Sequence, residues 1–171
     1  MQIAVFCSSS NKLAPIYYKE AEVLGSYIGK NNHTLVYGAS NNGLMESLAK
    51  GVKSENGYVL GILPSDMRNQ ASKMPDELFF VENLSQRKDM MMEYADVFIA
   101  LPGGFGTLDE LFEVIASAQV GAHNKKIVLV NTNNFFNPLI ELFEAIFAQN
   151  FCDESNKNNY VVVNNAAECA K

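Results

Sequence analysis

Residues 96–114 read DVFIALPGGFGTLDELFEV, and this stretch decides how the rest of the chain is interpreted. Its apolar run at 97–101 has the length of a β-strand, and it is followed by a glycine-rich turn. A helix is then indicated by apolar residues that recur every three or four positions: Leu108, Leu111, Phe112, Ile115 and Ala118. A strand that is apolar almost throughout is typical of a parallel sheet covered on both faces.

The same alternation of strand and helix patterns runs along the whole chain. Strands are predicted at Ile3–Cys7, His33–Tyr37, Tyr58–Leu63, Leu78–Glu82, Asp96–Leu101, Lys126–Asn131 and Tyr160–Val163. Helices are predicted at Pro15–Lys30, Gly43–Glu55, Leu84–Tyr94, Leu108–Val120 and Pro138–Gln149, with a polar surface loop at 153–159. Such alternation implies right-handed crossovers and a Rossmann-like α/β fold, a doubly wound and mainly parallel sheet with helices on both faces. We expect residues 1–171 to form a single nucleotide-binding domain.

The composition narrows the class of partner. The chain has a formal net charge of −6, 48% apolar residues and 19% charged residues. No basic run is present, so nucleic acid is not an expected partner. An anionic substrate of such a chain would be held by backbone N–H groups and a few cations, since a broad positive surface is lacking.

Cysteine usage and the terminal sequence indicate the compartment. Cys7, Cys152 and Cys169 show neither CxxC spacing nor a disulfide framework, so we expect reduced thiols. The start of the chain lacks the basic segment of a signal peptide, and no apolar run approaches the roughly 18 residues of a membrane span. A cytoplasmic protein without membrane contact is predicted. His33 and His123 have no acidic or cysteine neighbours at ligand spacing, so no metal is assigned.

Three loops that follow predicted strands are rich in small or amide residues. They are CSSSN at 7–11, GASNNG at 38–43 and PGGFGT at 102–107. In a doubly wound sheet ligands bind beyond the carboxyl ends of the strands, and each loop would present N–H groups at a helix start. Residues 25–31 resemble a P-loop, but the string is one residue short and lies inside a predicted helix. Because no GxGxxG follows the first strand, a mononucleotide is favoured over NAD.

Two charged motifs are open to more than one interpretation. Glu110 and Glu113 point away from the apolar stripe of their helix, and only Glu110 lies in its predicted first turn. Thr107-x-x-Glu110 is also the spacing of a capping box, which the spacing alone favours. Arg87-Lys88, taken alone, is more typical of a solvated surface pair. Met90–Met92 are expected to fill gaps in the core or at an interface.

The string Pro102-Gly103-Gly104-x-Gly106-Thr107-x-x-Glu110, preceded by Arg87-Lys88, resembles the signature of the LOG family. Members of that family are cytokinin riboside 5′-monophosphate phosphoribohydrolases, long labelled as lysine decarboxylases. The similarity also includes FCSSS, VYGxxxxGLM and VLGILP, and it extends over nearly the whole chain. It implies hydrolysis of the N-glycosidic bond of a nucleoside 5′-monophosphate, without a cofactor, by a homodimer. A lysine decarboxylase would need an electron sink such as pyridoxal phosphate, for which no lysine is placed.

The resemblance implies catalytic roles for Arg87 and Glu110. The residues that it implies for substrate binding are Ser9, Gly38, Lys88, Gly103, Gly104, Phe105, Gly106 and Thr107. Three family strings are altered here: Gly-Gly-Gly reads Gly38-Ala39-Ser40, Met-His-x-Arg-Lys reads 84–88 LSQRK, and Cys-Gly-Ser reads 7–9 CSS. Added side chains are expected to narrow the approach of a ligand to the backbone. The alternative is a non-catalytic nucleotide-binding protein similar to molybdenum-cofactor carriers, in which Arg87 and Glu110 are structural.

Overall fold

Seven strands form one parallel sheet in the computed structural model, which describes residues 1–170. In chain order they are β1 (Gln2–Phe6), β2 (Thr34–Tyr37), β3 (Tyr58–Pro64), β4 (Glu77–Val81), β5 (Val97–Ala100), β6 (Lys126–Val130) and β7 (Tyr160–Val163). Their order across the sheet is β4-β3-β2-β1-β5-β6-β7, and every neighbouring pair is parallel. The chain winds outward from β1 first one way and then the other, so the predicted doubly wound sheet is confirmed. Its topological switch lies between β1 and β5.

Five helices cover the two faces of the sheet. They are α1 (Pro15–Lys30), α2 (Gly43–Ser54), α3 (Leu84–Tyr94), α4 (Phe105–Gln119) and α5 (Asn137–Ala148). α1 and α2 pack on one face, and α3, α4 and α5 pack on the other. Short 3-10 turns lie at Ser65–Gln70, Thr132–Asn134, Glu154–Asn159 and Ala166–Ala170, so the segment predicted as a polar loop is partly a turn of helix. Within residues 1–170, no helix combines the length and apolar character needed to cross a membrane.

The core explains why the strands are apolar without alternation. Ile3 and Val5 of β1 face the α1–α2 side, while Ala4 and Phe6 face the α3–α5 side, and all four are buried. Because helices cover both faces, each strand position must be apolar.

The methionines of α3 belong to this core. Met91 is buried, and Met90 and Met92 are partly buried against the same cluster. Of the two roles expected for this run, core filling is therefore the one that the structure shows.

The P-loop-like string at 25–31 lies in the last turns of α1 and its C-cap. Gly25 is where α1 meets the backbone of α2, and a Cβ at this position would overlap the carbonyl oxygen of Leu48. The string therefore serves helix packing, as its position inside a predicted helix indicated.

Candidate functional site

A cleft of about 470 Å³ opens at the carboxyl edge of the sheet, beside the switch between β1 and β5. Its walls come from the loops after β1, β2 and β5, from α3, and from the 3-10 turn after β3. A concave site of this volume is typical of small-molecule binding. Nine of the ten residues singled out in the sequence line it: Ser9, Gly38, Arg87, Lys88, Gly104, Phe105, Gly106, Thr107 and Glu110.

A buried ion pair joins α3 to α4 in the wall of the cleft. The Nη2 atom of Arg87 donates to Oε1 of Glu110 at 2.5 Å, and the two side chains are 10% and 4% exposed. The Nε atom of Arg87 is buried and has no hydrogen-bond partner within residues 1–170. An unpaired buried donor is costly, and this one is closed to solvent. Arg87 is therefore not the solvated surface residue that its sequence context favours.

The position of Glu110 corrects two expectations. α4 begins at Phe105 with Gly104 as its N-cap, three residues earlier than Thr107, so Glu110 lies in the second turn. Its carboxylate bonds Arg87 and no backbone N–H, which rules out the capping box. Glu110 also lies on the buried face of α4 together with Leu111 and Val114, and does not point away from it. The true start was missed because PGGFGT carries no side-chain cap to mark it.

Burial dominates the electrostatics of Glu110. Removal from water raises the pKa of its carboxyl from 4.5 to about 7, although the Arg87 guanidinium opposes the rise. A helix dipole favours the ionised form of a carboxyl in the first turn, but it has little effect on Glu110 in the second turn. Glu110 is thus a carboxyl that changes protonation near neutral pH, a property frequent among groups that do chemistry.

The N-terminus of α4 is open toward the cleft. Its first N–H groups, on Phe105, Gly106 and Thr107, have no hydrogen-bond partner within residues 1–170. A Cβ added at Gly104 or Gly106 would meet nothing within 4 Å, and neither glycine has a positive φ. Neither the packing nor the backbone conformation therefore requires glycine at these two positions. Bare backbone with unpaired donors at a helix start is suited to an anion.

Gly103 is the predicted residue that the cleft does not include. A Cβ at this position would overlap the side chain of Thr107, so Gly103 allows the turn to close tightly against the first turn of α4. Phe105 lies at the rim of the cleft, and its side chain is 93% exposed.

The N-terminus of α2, by contrast, is largely closed. The N–H of Gly43 donates to Oδ1 of Asn11 at 2.8 Å, and the N–H of Leu44 donates to the carbonyl oxygen of Ser8 at 2.8 Å. Gly43 has a φ of +59°, and a Cβ on it would overlap the backbone at Ser8–Ser10. Of the first three N–H groups of α2, only that of Met45 has no partner within residues 1–170, so the expectation that each loop presents free N–H groups holds least for this loop.

The positions at which the chain departs from the family strings lie in different places. Ala39 has a φ of +53° and is buried, and its methyl group faces Gly61 of β3, outside the cleft. Ser40 and Ser8 line the cleft. Ser85 is exposed on α3 and does not line it. Leu84, which stands where the family string has Met, also lines the cleft, so the changes at Ser8, Ser40 and Leu84 can alter its shape directly.

Lys88 lines the cleft, but its ammonium group is already paired. Its Nζ atom lies 2.8 Å from Oδ2 of Asp109 and 2.5 Å from Oε2 of Glu113. The contact with Asp109 is a hydrogen bond, whereas the contact with Glu113 lacks hydrogen-bond geometry and is an ion pair only. These carboxylates raise the pKa of Lys88, so the side chain stays charged.

Several residues in the cleft wall were not found from the sequence. Met67 and Gln70 come from the 3-10 turn after β3, and Leu84 and Asp109 come from α3 and α4. The turn after β3 was overlooked because only loops with small residues were considered, although its strand ends at the same edge of the sheet.

Both histidines lie away from the cleft; the ring of His123 contacts the carbonyl oxygen of Val114 and packs on Phe98. Within residues 1–170, no cluster of three or more His, Cys, Asp or Glu side chains could hold a metal ion.

The fold and cleft together define a Rossmann-like α/β protein with a cleft of small-molecule size at its topological switch point. A family model described as "Possible lysine decarboxylase" matches residues 45–171. This chain belongs to that family, the LOG family, as its sequence also indicated.

Two relatives and one solved structure give the extent of the likeness. A protein of Oryza sativa subsp. japonica named "Probable cytokinin riboside 5′-monophosphate phosphoribohydrolase" is 38% identical over 97% of this chain and 73% of its own length. The cytokinin riboside 5′-monophosphate phosphoribohydrolase of Rhodococcoides fascians is 35% identical over 94% of this chain and 82% of its own length. The molybdenum cofactor binding protein of the phototrophic bacterium Rippkaea orientalis matches in structure with a TM-score of 0.77. It is 26% identical, over 99% of this chain and 92% of that one.

Proposed function

We propose that this protein hydrolyses the N-glycosidic bond of a nucleoside 5′-monophosphate and releases the free base and ribose 5-phosphate. The substrate class is AMP or an N6-substituted AMP such as cytokinin riboside monophosphate, in keeping with the names of the relatives. The observation that carries the proposal is the juxtaposition, in one cleft, of the buried Arg87–Glu110 pair and the open N-terminus of α4.

Each part of the cleft has a role in this reaction. Cleavage passes through a sugar with oxocarbenium character, which a carboxylate stabilises while it orients the attacking water. Glu110 supplies that carboxylate, and Nη2 of Arg87 bonds one of its oxygens. Water adds its hydroxyl to the anomeric carbon, and its proton leaves with the base. No redox or organic cofactor takes part in these steps.

The 5′-phosphate is held by backbone donors. The N–H groups of the 104–107 turn bind its oxygens, with Gly104 and Gly106 allowing close approach. Ser9 and Gly38 also line the cleft, and we assign them to the ribose.

The direct test is incubation of the purified protein with AMP and, separately, with adenosine, followed by chromatographic detection of free adenine. AMP should be turned over far faster, because binding of its phosphate positions the reacting bond. The variant Glu110→Gln, purified identically, controls for contaminating nucleosidases. Absence of base release from a panel of 5′-monophosphates would overturn the proposal, and equal turnover of AMP and adenosine would overturn the phosphate role of the turn.

A second candidate is a non-catalytic carrier of a phosphate-bearing cofactor. The structural match to the Rippkaea orientalis protein favours it. A carrier would bind a nucleotide in calorimetry without releasing base, and Glu110→Gln would leave that binding unchanged.

The assembly and location are also proposals. We propose a homodimer, supported by exposed apolar side chains on and after α4 and α5, namely Phe112, Val120, Leu142 and Phe151. Light scattering should give twice the 18.9 kDa of one chain, and a mass near 18.9 kDa at micromolar concentration would contradict it.

We propose a cytoplasmic location on the strength of the scattered cysteine pattern.

A further inference from the structure

Two charged pairs lie side by side between α3 and α4. Arg87 meets Glu110, and Lys88, the next residue in the chain, meets Asp109, which precedes Glu110. Lys88 also reaches Glu113, one helical turn beyond Asp109. Its side chain is only 16% exposed, so the position of the ammonium group is constrained by its surroundings.

The space between these helices is narrow and dry. Lys88, Glu110 and Glu113 line a gap that has no room for a water molecule, together with Phe6, Met92 and Val114. The backbones of α3 and α4 do not run close together, so long side chains make the connection. Charges that share such a gap interact strongly, because little water screens them.

We infer that Lys88 is a positioning residue, which holds α3 against α4 through Asp109 and Glu113 and so fixes the geometry of the Arg87–Glu110 pair. This replaces the sequence-based expectation that Lys88 binds substrate. The inference rests on the proposed function, since positioning refers to a reaction at Glu110.

Lys88 acts on Glu110 through its charge as well as through the geometry that it fixes. The groups that face Glu110 are Arg87 and Lys88 from α3, Asp109 and Glu113 from its own helix, and the Cys7 thiol at the end of β1. Lys88 lowers the pKa of Glu110, and Asp109 raises it. Removing Lys88 and removing Asp109 therefore shift the titration of Glu110 in opposite directions, although both loosen the same connection.

The kinetic test compares Lys88→Met, which keeps the length of the side chain, with Lys88→Arg, which keeps its charge. With AMP, Lys88→Met should lower kcat about tenfold and change KM less than about twofold. The pH at which kcat rises should move up by roughly half a unit or more in Lys88→Met and down in Asp109→Asn. Lys88→Arg should restore most of the activity and the wild-type pH profile. A higher KM at unchanged kcat, with loss of the preference for AMP over adenosine, would show instead that Lys88 binds the phosphate.

A second measurement does not depend on activity. Carboxyl ¹³C NMR follows the titration of Glu110 in the ligand-free protein, and the double variant Lys88→Met/Glu113→Gln avoids leaving a buried carboxylate unpaired. Opposite shifts in the Lys88 and Asp109 variants support the coupling, and unchanged titration in both overturns the inference. If wild-type protein releases no base, the proposed function fails, while the titration still decides whether Lys88 controls Glu110.

Discussion

The starts of α2 and α4 have similar sequences but opposite surroundings. Both helices follow a strand of the sheet, and both are preceded by small and glycine residues. At α2, the Asn11 side chain and the Ser8 carbonyl bond the first two N–H groups. At α4, the first three N–H groups have no partner within residues 1–170.

The glycines at these two helix starts are present for different reasons. Gly43 is required by its own fold, because its φ is positive and the backbone of Ser8–Ser10 lies against it. Gly104 and Gly106 have no such requirement, since open space surrounds them. A glycine that neither packing nor backbone conformation requires suggests that a ligand approaches the backbone closely at that position. The comparison therefore supports the proposal that a phosphate binds at α4, and the predictions below break or sharpen it.

The largest effect is expected for Glu110, which lies on α4 in the wall of the cleft. Glu110→Gln keeps the size of the side chain and an oxygen for Arg87 but removes the negative charge. Base release from AMP should fall a hundredfold or more, with little loss of melting temperature at pH 7. Single-turnover assays and thermal denaturation of the same preparations measure both. Near-normal release of base would remove Glu110 from the mechanism.

The next effect is a pH dependence of stability. The folded-state pKa of Glu110, about 7, lies above its ordinary value of 4.5, so between these values the folded state binds the extra proton. The free energy of unfolding should therefore fall as pH rises from about 4.5 to about 7, by roughly 2 to 3 kcal/mol. Urea denaturation of wild type and Glu110→Gln across this range isolates the contribution. Activity should rise over the same pH range, since the ionised form of Glu110 reacts. If the free energies of unfolding of wild type and Glu110→Gln changed with pH in the same way, the raised pKa would not belong to Glu110.

A matched pair of glycine substitutions separates the two helix starts. Gly43→Ala should lower the free energy of unfolding by about 2 kcal/mol or more, because it combines a positive φ with backbone overlap. Gly106→Ala should instead raise stability by up to about 1 kcal/mol while increasing KM for AMP about tenfold. Equal losses of stability in Gly43→Ala and Gly106→Ala would mean that the loop after β5 is packed as tightly as the loop before α2.

The smallest effect is expected at Asn11, whose side chain closes the start of α2. Asn11→Ala removes the acceptor for the N–H of Gly43 and should cost about 1 kcal/mol of stability. Asn11→Asp keeps that acceptor and serves as the control. A new phosphate-dependent stabilisation in Asn11→Ala would show that the closed start of α2 becomes an anion site once it is opened.

Much of the fold was predictable because apolar periodicity is a local signal. The bounds predicted for α1, α3 and β7 match the structure, and most other ends differ by one residue. The start of α4 was misplaced by three residues, since Thr107 offers a familiar cap and Gly104 leaves no trace in the sequence.

What the sequence could not reveal depends on contacts between distant residues. Asn11 bonds Gly43 across 32 positions, and Arg87 meets Glu110 across 23. Motif spacing suggested the right residues for the cleft but not their partners. For that reason it allowed a cap at Glu110, which the structure contradicts, and it gave no sign that Asp109 and Glu113 pair with Lys88.

The pairing of both cleft cations has a kinetic consequence. Arg87 and Lys88 are paired with carboxyl groups of α4, no other lysine or arginine within residues 1–170 lines the cleft, and the chain carries a net charge of −6. Under the proposed function, a doubly charged nucleotide therefore approaches against a repulsive field, and uncharged N–H dipoles hold it once it arrives. Salt screens that field beyond about 10 Å at 0.1 M, so the association rate should rise with ionic strength. Sites that gather anions with exposed lysines show the opposite trend.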